Sequence, residues 1–133
     1  MHDTVHGSCH CKAVAFEMDI DWSQPGLRCN CSYCLKVRSW ALLVPAAAFR
    51  LTRGNSSLTA YAFGALRERH HFCARCGVRV VGRGESAVGA PYVTVSVACF
   101  DDVSADKLAA LPVRYVDGAN DRWDSAPAHT GHL

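Results

Sequence analysis

A short stretch of the chain carries a cysteine triplet, Cys29, Cys31 and Cys34, with one and two residues between successive members. This spacing lets three sulfurs face one metal ion from a turn and the start of a short helix. A structural zinc site is normally closed by four protein ligands, whereas three ligands leave a position open for water or substrate. The triplet is therefore the candidate reactive centre.

The charge of such a centre indicates which chemistry it favours. Zinc bound by three thiolates carries a net negative charge, so it activates water less well than zinc held by neutral imidazoles. A thiol that enters the open position still loses its proton. Thiol chemistry is thus favoured over hydrolysis, with Arg28, Lys36 and Arg38 as cations that could offset the charge. Cys99 is the candidate fourth ligand that would instead close the site, although its place at a strand end is more typical of a buried apolar residue.

The remaining thiols form two distant pairs, Cys9 with Cys11 and Cys73 with Cys76. Cys73-Ala-Arg-Cys76-Gly77 has the form of a zinc knuckle, in which backbone amides point at the sulfurs and glycine adopts a positive φ. Together the pairs would supply four thiolates to a structural zinc that ties the start of the chain to its middle and stabilises folding.

A second partition is also compatible with the spacing. A zinc ribbon could use Cys31 and Cys34 with Cys73 and Cys76, which would leave the first pair spare. The spacing alone does not decide between the two partitions.

Composition narrows the class of protein. The chain has 133 residues, of which half are apolar and eight are cysteines, and its formal charge is +2. This composition is typical of one soluble globular domain spanning residues 1–133. The sequence lacks a basic stripe of the kind that binds nucleic acid. It also lacks an apolar run of the roughly 18 residues needed to cross a membrane. The first residues lack a secretory signal pattern, so we expect a cytoplasmic protein, in which metal binding explains the cysteines better than disulfides do.

The pattern of short apolar segments between Gly and Pro turns predicts a mainly β domain. Helical turns are predicted at 32–39 and 104–111, and the tail 117–133 is expected to be irregular. Two glycine-containing segments, 54–57 and 82–84, are interpreted as hairpin turns. Strands are predicted at 13–18, 40–44, 49–52, 58–61, 67–72, 78–81, 92–98 and 113–116.

Three blocks of the sequence resemble the signature of the glutathione-dependent formaldehyde-activating enzyme family, which also contains centromere protein V. They are Gly7-Ser-Cys-His-Cys-Lys-Ala-Val14, Cys29-Asn-Cys-Ser-Tyr-Cys34 and Phe72-Cys-Ala-Arg-Cys-Gly77. The resemblance implies a β-tent fold and two zinc ions per chain. It implies a structural zinc on Cys9, Cys11, Cys73 and Cys76, and a second, catalytic zinc on Cys29, Cys31 and Cys34.

The resemblance further implies a carbon-sulfur lyase of the S-hydroxymethylglutathione synthase type. Its partners would be a small thiol, glutathione, and a small aldehyde, formaldehyde, which add reversibly to one another. Asn30 departs from the pattern, because many relatives have histidine there. The alternative function is a non-catalytic binding module held together by two structural zinc sites.

Histidines and tryptophans are the other residues that could serve a site. His70 and His71 alternate on a strand, so at most one of them faces inward. The tryptophans are interpreted as core or pocket wall: Trp22, Trp40 and Trp123. Histidines near the two ends of the chain are expected to be mobile: His2, His6, His129 and His132.

Overall fold

The computed structural model describes residues 2–64 and 68–133 and contains ten strands and two α-helices in that part of the chain. The helices are α1 (Ser32–Val37) and α2 (Ala105–Ala110). The strands are β1 (His2–Ser8), β2 (Ala15–Asp21), β3 (Gly26–Cys29), β4 (Ala41–Pro45), β5 (Phe49–Arg53), β6 (Leu58–Tyr61), β7 (Arg69–Cys73), β8 (Arg79–Glu85), β9 (Pro91–Ser96) and β10 (Val113–Val116).

The strands form two sheets. One has three strands in the order β1-β2-β5, and the other has seven in the order β10-β3-β4-β9-β8-β7-β6. Neighbouring strands are antiparallel except β10, which runs parallel to β3. An isolated bridge between Gly7 and Phe100 links the end of β1 to the segment that follows β9. The prediction of a mainly β domain is confirmed.

The core lies between the two sheets, and alternating side chains supply it. Phe16, Met18 and Ile20 on β2 are almost completely buried, because every second residue of a strand points to the same face. Val93 and Val95 do the same on β9, and all five belong to one apolar cluster.

Both cysteine groups lie where strands end. β7 ends at Cys73, β3 ends at Cys29, and two residues separate that strand from the start of α1. The parallel pairing of β10 with β3 places Val116 opposite Cys29. The chain that follows β10 therefore begins beside the triplet.

The predicted hairpin at 54–57 is wrong. β5 pairs with β2 and β6 pairs with β7, so the turn carries the chain from one sheet to the other. Gly54 has φ +88°, and a Cβ there would lie 2.0 Å from the carbonyl oxygen of Ala13. Glycine is required here because the backbone is left-handed and because the residue packs closely against Ala13. A glycine followed by polar residues is also the sequence pattern of a hairpin turn.

The predicted turn at 82–84 is also wrong, because both glycines lie inside β8. A Cβ on Gly82 would meet Glu68 Oε1 at 2.0 Å and Thr94 Oγ1 at 2.4 Å, so the missing side chain makes room for a polar contact. The turn that joins β8 to β9 comes later, where Gly89 has φ +81° and donates its backbone N–H to Ser86. Glycine within a strand often marks such a close approach.

Several other predictions are confirmed. α2 begins after Ser104, whose Oγ accepts a hydrogen bond from the backbone N–H of Lys107 at 3.2 Å, as expected for an N-cap. The strand β10 and the helical turns of α1 lie in the predicted segments, and β9 begins one residue before its predicted segment and ends two residues before the end of that segment. The predicted start of β7 at Arg67 lies outside the described residues. Within the described ranges, no helix is both long and apolar enough to span a membrane.

The beginning of the chain differs from the prediction. β1 pairs with β2 along its length, and the His6 ring Nδ1 lies 2.7 Å from Asp102 Oδ2. His6 is therefore held in a sheet, and its predicted mobility is wrong. The sequence signal was weak because β1 has few apolar residues, and its position is decided by pairing with a distant strand.

Candidate metal centres

Four thiols from the two distant pairs come together at one point: the sulfurs of Cys9, Cys11, Cys73 and Cys76 all lie within 4.8 Å of one another. The Cys9 and Cys11 sulfurs are 3.7 Å apart, as are those of Cys11 and Cys73. Cys9 and Cys73 are fully buried. We call this group the four-thiol cluster.

Backbone amides point at the sulfurs of this cluster. Val14 N–H donates to Cys9 Sγ at 3.3 Å, and Arg75 N–H donates to Cys73 Sγ at 3.4 Å. Gly77 has φ +80°, as the knuckle requires. Backbone N–H groups also lower the pKa of Cys73 and lower that of Cys76 to about 6. Amide donors thus favour the thiolate form, which is the form that binds metal.

The triplet is a second group, in which the sulfurs of Cys29, Cys31 and Cys34 also lie within 4.8 Å of one another. Cys31 is the N-cap of α1, and its Sγ accepts a hydrogen bond from the backbone N–H of Cys34 at 3.3 Å. The backbone N–H of Cys31 donates to Cys29 Sγ at 3.3 Å. All three side chains are half-buried.

The three thiols of the triplet do not ionise alike. The pKa of Cys31 is lowered, because its sulfur accepts hydrogen bonds from the Cys29 and Cys34 thiols and from backbone N–H groups. The pKa of Cys34 is raised by those same two thiols and by burial. Cys31 is therefore the first of the three to become a thiolate.

The donor sets fit zinc, which binds thiolates in tetrahedral sites. The four-thiol cluster offers a complete set of ligands, and the triplet offers one fewer. All eight cysteines carry free thiols, and seven of them lie in the two clusters that could hold metal ions.

Cys99 is brought to neither group. Its buried thiol donates to the backbone carbonyl of Arg79 at 3.5 Å, and it is absent from both sulfur clusters found among the described residues. The zinc-ribbon partition is not formed either, because Cys73 and Cys76 meet the first cysteine pair rather than the triplet.

Asn30, inside the triplet, is fixed by the chain that follows β10. Its Nδ2 donates to Asp117 Oδ1 at 2.8 Å, and its Oδ1 accepts from the backbone N–H of Ala119 at 2.9 Å. Asp117 is buried, and its pKa is lowered because it accepts hydrogen bonds from the amides of Asn120 and Asn30. No pattern in the sequence predicted this contact, because the segment is polar and was expected to be irregular.

The cations and tryptophans near the triplet differ in their roles. The Arg28 guanidinium lies 5.0 Å from the centre of the Trp40 ring. Arg38 instead lines a narrow cleft that also contains Cys29 and Cys34, so it can offset the charge of the site. Lys36 is exposed at the last turn of α1. Trp123 is half-exposed, with its ring beside Gly118, so it is not a core residue, and it is not among the residues that line the cleft.

An aromatic layer joins α1 to β7. The Tyr33 ring stacks on His70 with centroids 3.8 Å apart, and Tyr61 and Phe63 stack around the same pair. His70 is buried and His71 half-buried, which confirms that only one of the two faces fully inward. Burial and the neighbouring Arg79 guanidinium lower the pKa of His70 to about 4.

These features define a class of protein, a mainly β domain that carries two cysteine clusters able to hold metal ions. The family model of the glutathione-dependent formaldehyde-activating enzyme matches residues 4–116. The chain therefore belongs to this family. It is also similar to a Rhodobacter sphaeroides protein solved by crystallography in a structural genomics programme, with 29% identity, a TM-score of 0.68, and coverage of 82% of this chain and 99% of that one.

Proposed function

We propose that the protein is a zinc-dependent carbon-sulfur lyase that activates a small thiol, glutathione or a similar molecule, for addition to formaldehyde or another small aldehyde. The observation that carries the proposal is the difference in ligand number between the clusters, since the triplet alone has a position to offer. The family match supports the thiol and the aldehyde as substrate classes. We also propose zinc at both clusters, two ions per chain, a β-tent arrangement of the sheets, and a cytoplasmic location.

The reaction needs a thiolate and a route for one proton. Cys29, Cys31 and Cys34 would hold zinc, and zinc bound there would supply the positive charge that lowers the pKa of a substrate thiol. The sulfur lone pair then forms a carbon-sulfur bond with the carbonyl carbon, and the carbonyl π electrons move to oxygen. The proton lost by the thiol ends on that oxygen, which gives the S-hydroxymethyl product without an oxidant or a reductant.

The chain's own residues prepare this site. The backbone N–H at the start of α1 holds Cys31 in place and favours its thiolate, so the sulfur is ready to ligate. Arg38 contributes positive charge to the cleft, and this charge opposes the negative charge of three thiolates and a bound anion.

A second candidate function is a non-catalytic binding module with two structural zinc sites. The observation that favours it is the narrowness of the cleft at the triplet, since an enzyme needs room for its substrate. The two functions differ in whether the fourth zinc position exchanges its ligand.

An NMR exchange experiment tests the proposal. Zinc-loaded protein is mixed with glutathione and formaldehyde, and the exchange rate between free formaldehyde and the adduct is measured. We expect an exchange rate above the spontaneous one, and a return to the spontaneous rate with Cys34→Ser. Exchange at the spontaneous rate with the intact protein would contradict the lyase and favour the binding module. Elemental analysis with one zinc per chain would contradict the proposed metal count.

A further inference from the structure

The segment 117–133, here called the C-terminal segment, lies beyond the residues that the family model matches. Most of its side chains are exposed, so apolar burial gives it little reason to hold a fixed position. It is nevertheless attached to the chain around the triplet at several points. A segment with few core contacts but specific attachments at one site can act on that site.

The first attachment is at the triplet itself. Asn30 binds Asp117 and Ala119 as described above. At Gly118, a Cβ would lie 2.6 Å from Cys29 Sγ and 2.9 Å from Trp123 Cη2. Only a residue without a side chain allows the backbone so close to the sulfur, and the segment therefore passes directly against a metal-ligating thiol.

The second attachment is near the other end of the segment. Arg38, the left-handed C-cap of α1, donates from Nη1 to the backbone carbonyl of His132 at 2.7 Å. His132 and Leu133 then form one side of the cleft whose other side includes Cys29, Cys34 and Leu35. The segment thus contacts the triplet region near both of its ends.

We propose that the C-terminal segment is the outer wall of the triplet site and determines specificity by limiting the size of the thiol that reaches the metal. Arg38 and Asn30 are its positioning residues. The inference rests on the proposed function only in taking a thiol as the ligand, because exclusion by size can be measured without catalysis.

The hydrogen bond from Arg38 offers a direct test. Arg38→Gln removes the bond to His132 and leaves the cysteines in place. Arg114→Gln is the matched control, because Arg114 is an exposed arginine on β10 and the substitution changes the net charge by the same amount. Both variants and the wild type are used in their zinc-loaded form.

The first readout is thiol accessibility. N-ethylmaleimide and a maleimide carried on a polyethylene glycol chain share their chemistry and differ in size. Their rates of reaction with Cys29 and Cys34 are followed by mass spectrometry of peptides, with the exposed Cys11 of the four-thiol cluster as an internal reference. The second readout is the adduct exchange rate with glutathione relative to that with 2-mercaptoethanol.

We expect Arg38→Gln to raise the ratio of the bulky to the small maleimide rate at the triplet by about threefold to tenfold, as loss of one hydrogen bond predicts. The ratio at Cys11, and both ratios in Arg114→Gln, should equal those of the wild type. The preference for 2-mercaptoethanol over glutathione should fall in parallel.

Two results would overturn the inference. Equal rates for the bulky and the small maleimide at the wild-type triplet would show that the segment excludes nothing. An equal rise for both reagents in Arg38→Gln would show a general cover without selection by size. The maleimide ratio could change as expected while neither the wild type nor a variant accelerates adduct exchange. That result would support the role of the C-terminal segment as a wall and would contradict the proposed lyase function.

Discussion

The four-thiol cluster and the triplet use the same side chain in different ways. The first joins two turns that are far apart in the chain and has two of its cysteines fully buried. The second lies within one short stretch, is half-buried, and is bordered by a cleft. A ligand set that connects distant strands stabilises the fold, whereas a local set that is open on one side contributes less to folding and is available for chemistry.

Serine substitutions at matched positions should separate these roles with the largest effect. Cys73→Ser removes a buried thiol of the four-thiol cluster, where we propose a structural zinc that joins β7 to the beginning of the chain. We therefore expect loss of the cooperative unfolding transition or a fall in unfolding free energy of several kcal/mol, on the order of a structural zinc contribution. Cys34→Ser should lower the unfolding free energy by only about 1 kcal/mol, as for an ordinary single substitution, and should retain one zinc per chain. Thermal unfolding and elemental analysis measure both. Equal destabilisation by the two variants would remove the distinction.

A glycine substitution tests the triplet without changing a ligand. Gly118→Ala places a Cβ 2.6 Å from Cys29 Sγ, so the sulfur or the segment must move. We expect the zinc affinity of the triplet to fall by about tenfold to a hundredfold, as for other groups that orient ligands, and the affinity of the four-thiol cluster to stay the same.

Gly131→Ala is the control for this substitution, because a Cβ there meets no atom within 4 Å. Titration with a competing chelator measures the zinc affinities of the triplet and of the four-thiol cluster in one experiment. An unchanged zinc affinity of the triplet in Gly118→Ala would contradict the close contact between the C-terminal segment and the Cys29 sulfur. An equal loss of affinity in Gly131→Ala would also contradict it.

The smallest effect is expected from changing the stacking contact of His70 with Tyr33, which joins the two regions. His70 lies on β7, which ends at Cys73, and its ring stacks on that of Tyr33, which lies between Cys31 and Cys34 of the triplet. Its pKa falls from 6.5 to about 4 on folding, so the unfolded chain binds more protons between these pH values. Stability from the neutral ring is complete above pH 6.5 and is lost as the pH falls through this window.

His70→Phe keeps an aromatic ring and removes the titration. From pH 7 to pH 5 we expect the wild type to lose about 2 kcal/mol more than the variant in unfolding free energy. His129→Phe, at an exposed position of the C-terminal segment, should behave like the wild type. Denaturant unfolding at the two pH values gives the comparison. If His70→Phe and the wild type lost the same unfolding free energy from pH 7 to pH 5, folding would not lower the pKa of His70.

The features that the sequence predicted are mostly local. The knuckle at Cys73, the helical turns after Cys31 and the N-cap at Ser104 each depend on residues only a few positions apart. The glycine segments at 54–57 and 82–84 were interpreted wrongly, since a glycine needed for close packing against a distant residue looks the same in sequence as one needed for a turn.

The two thiol pairs and the triplet can be identified from the amino-acid sequence alone, because cysteine identity and short spacing need no tertiary information. The spacing left two partitions of the cysteines open, and the folded chain brings the two pairs together, as the family resemblance implied. The contact of Cys99 with the Arg79 carbonyl and that of the C-terminal segment with Cys29 became visible only in the folded chain. These contacts arise because strand pairing, such as that of β10 with β3, joins residues far apart in the chain. Such pairing depends on how the whole core packs, and no local pattern records it.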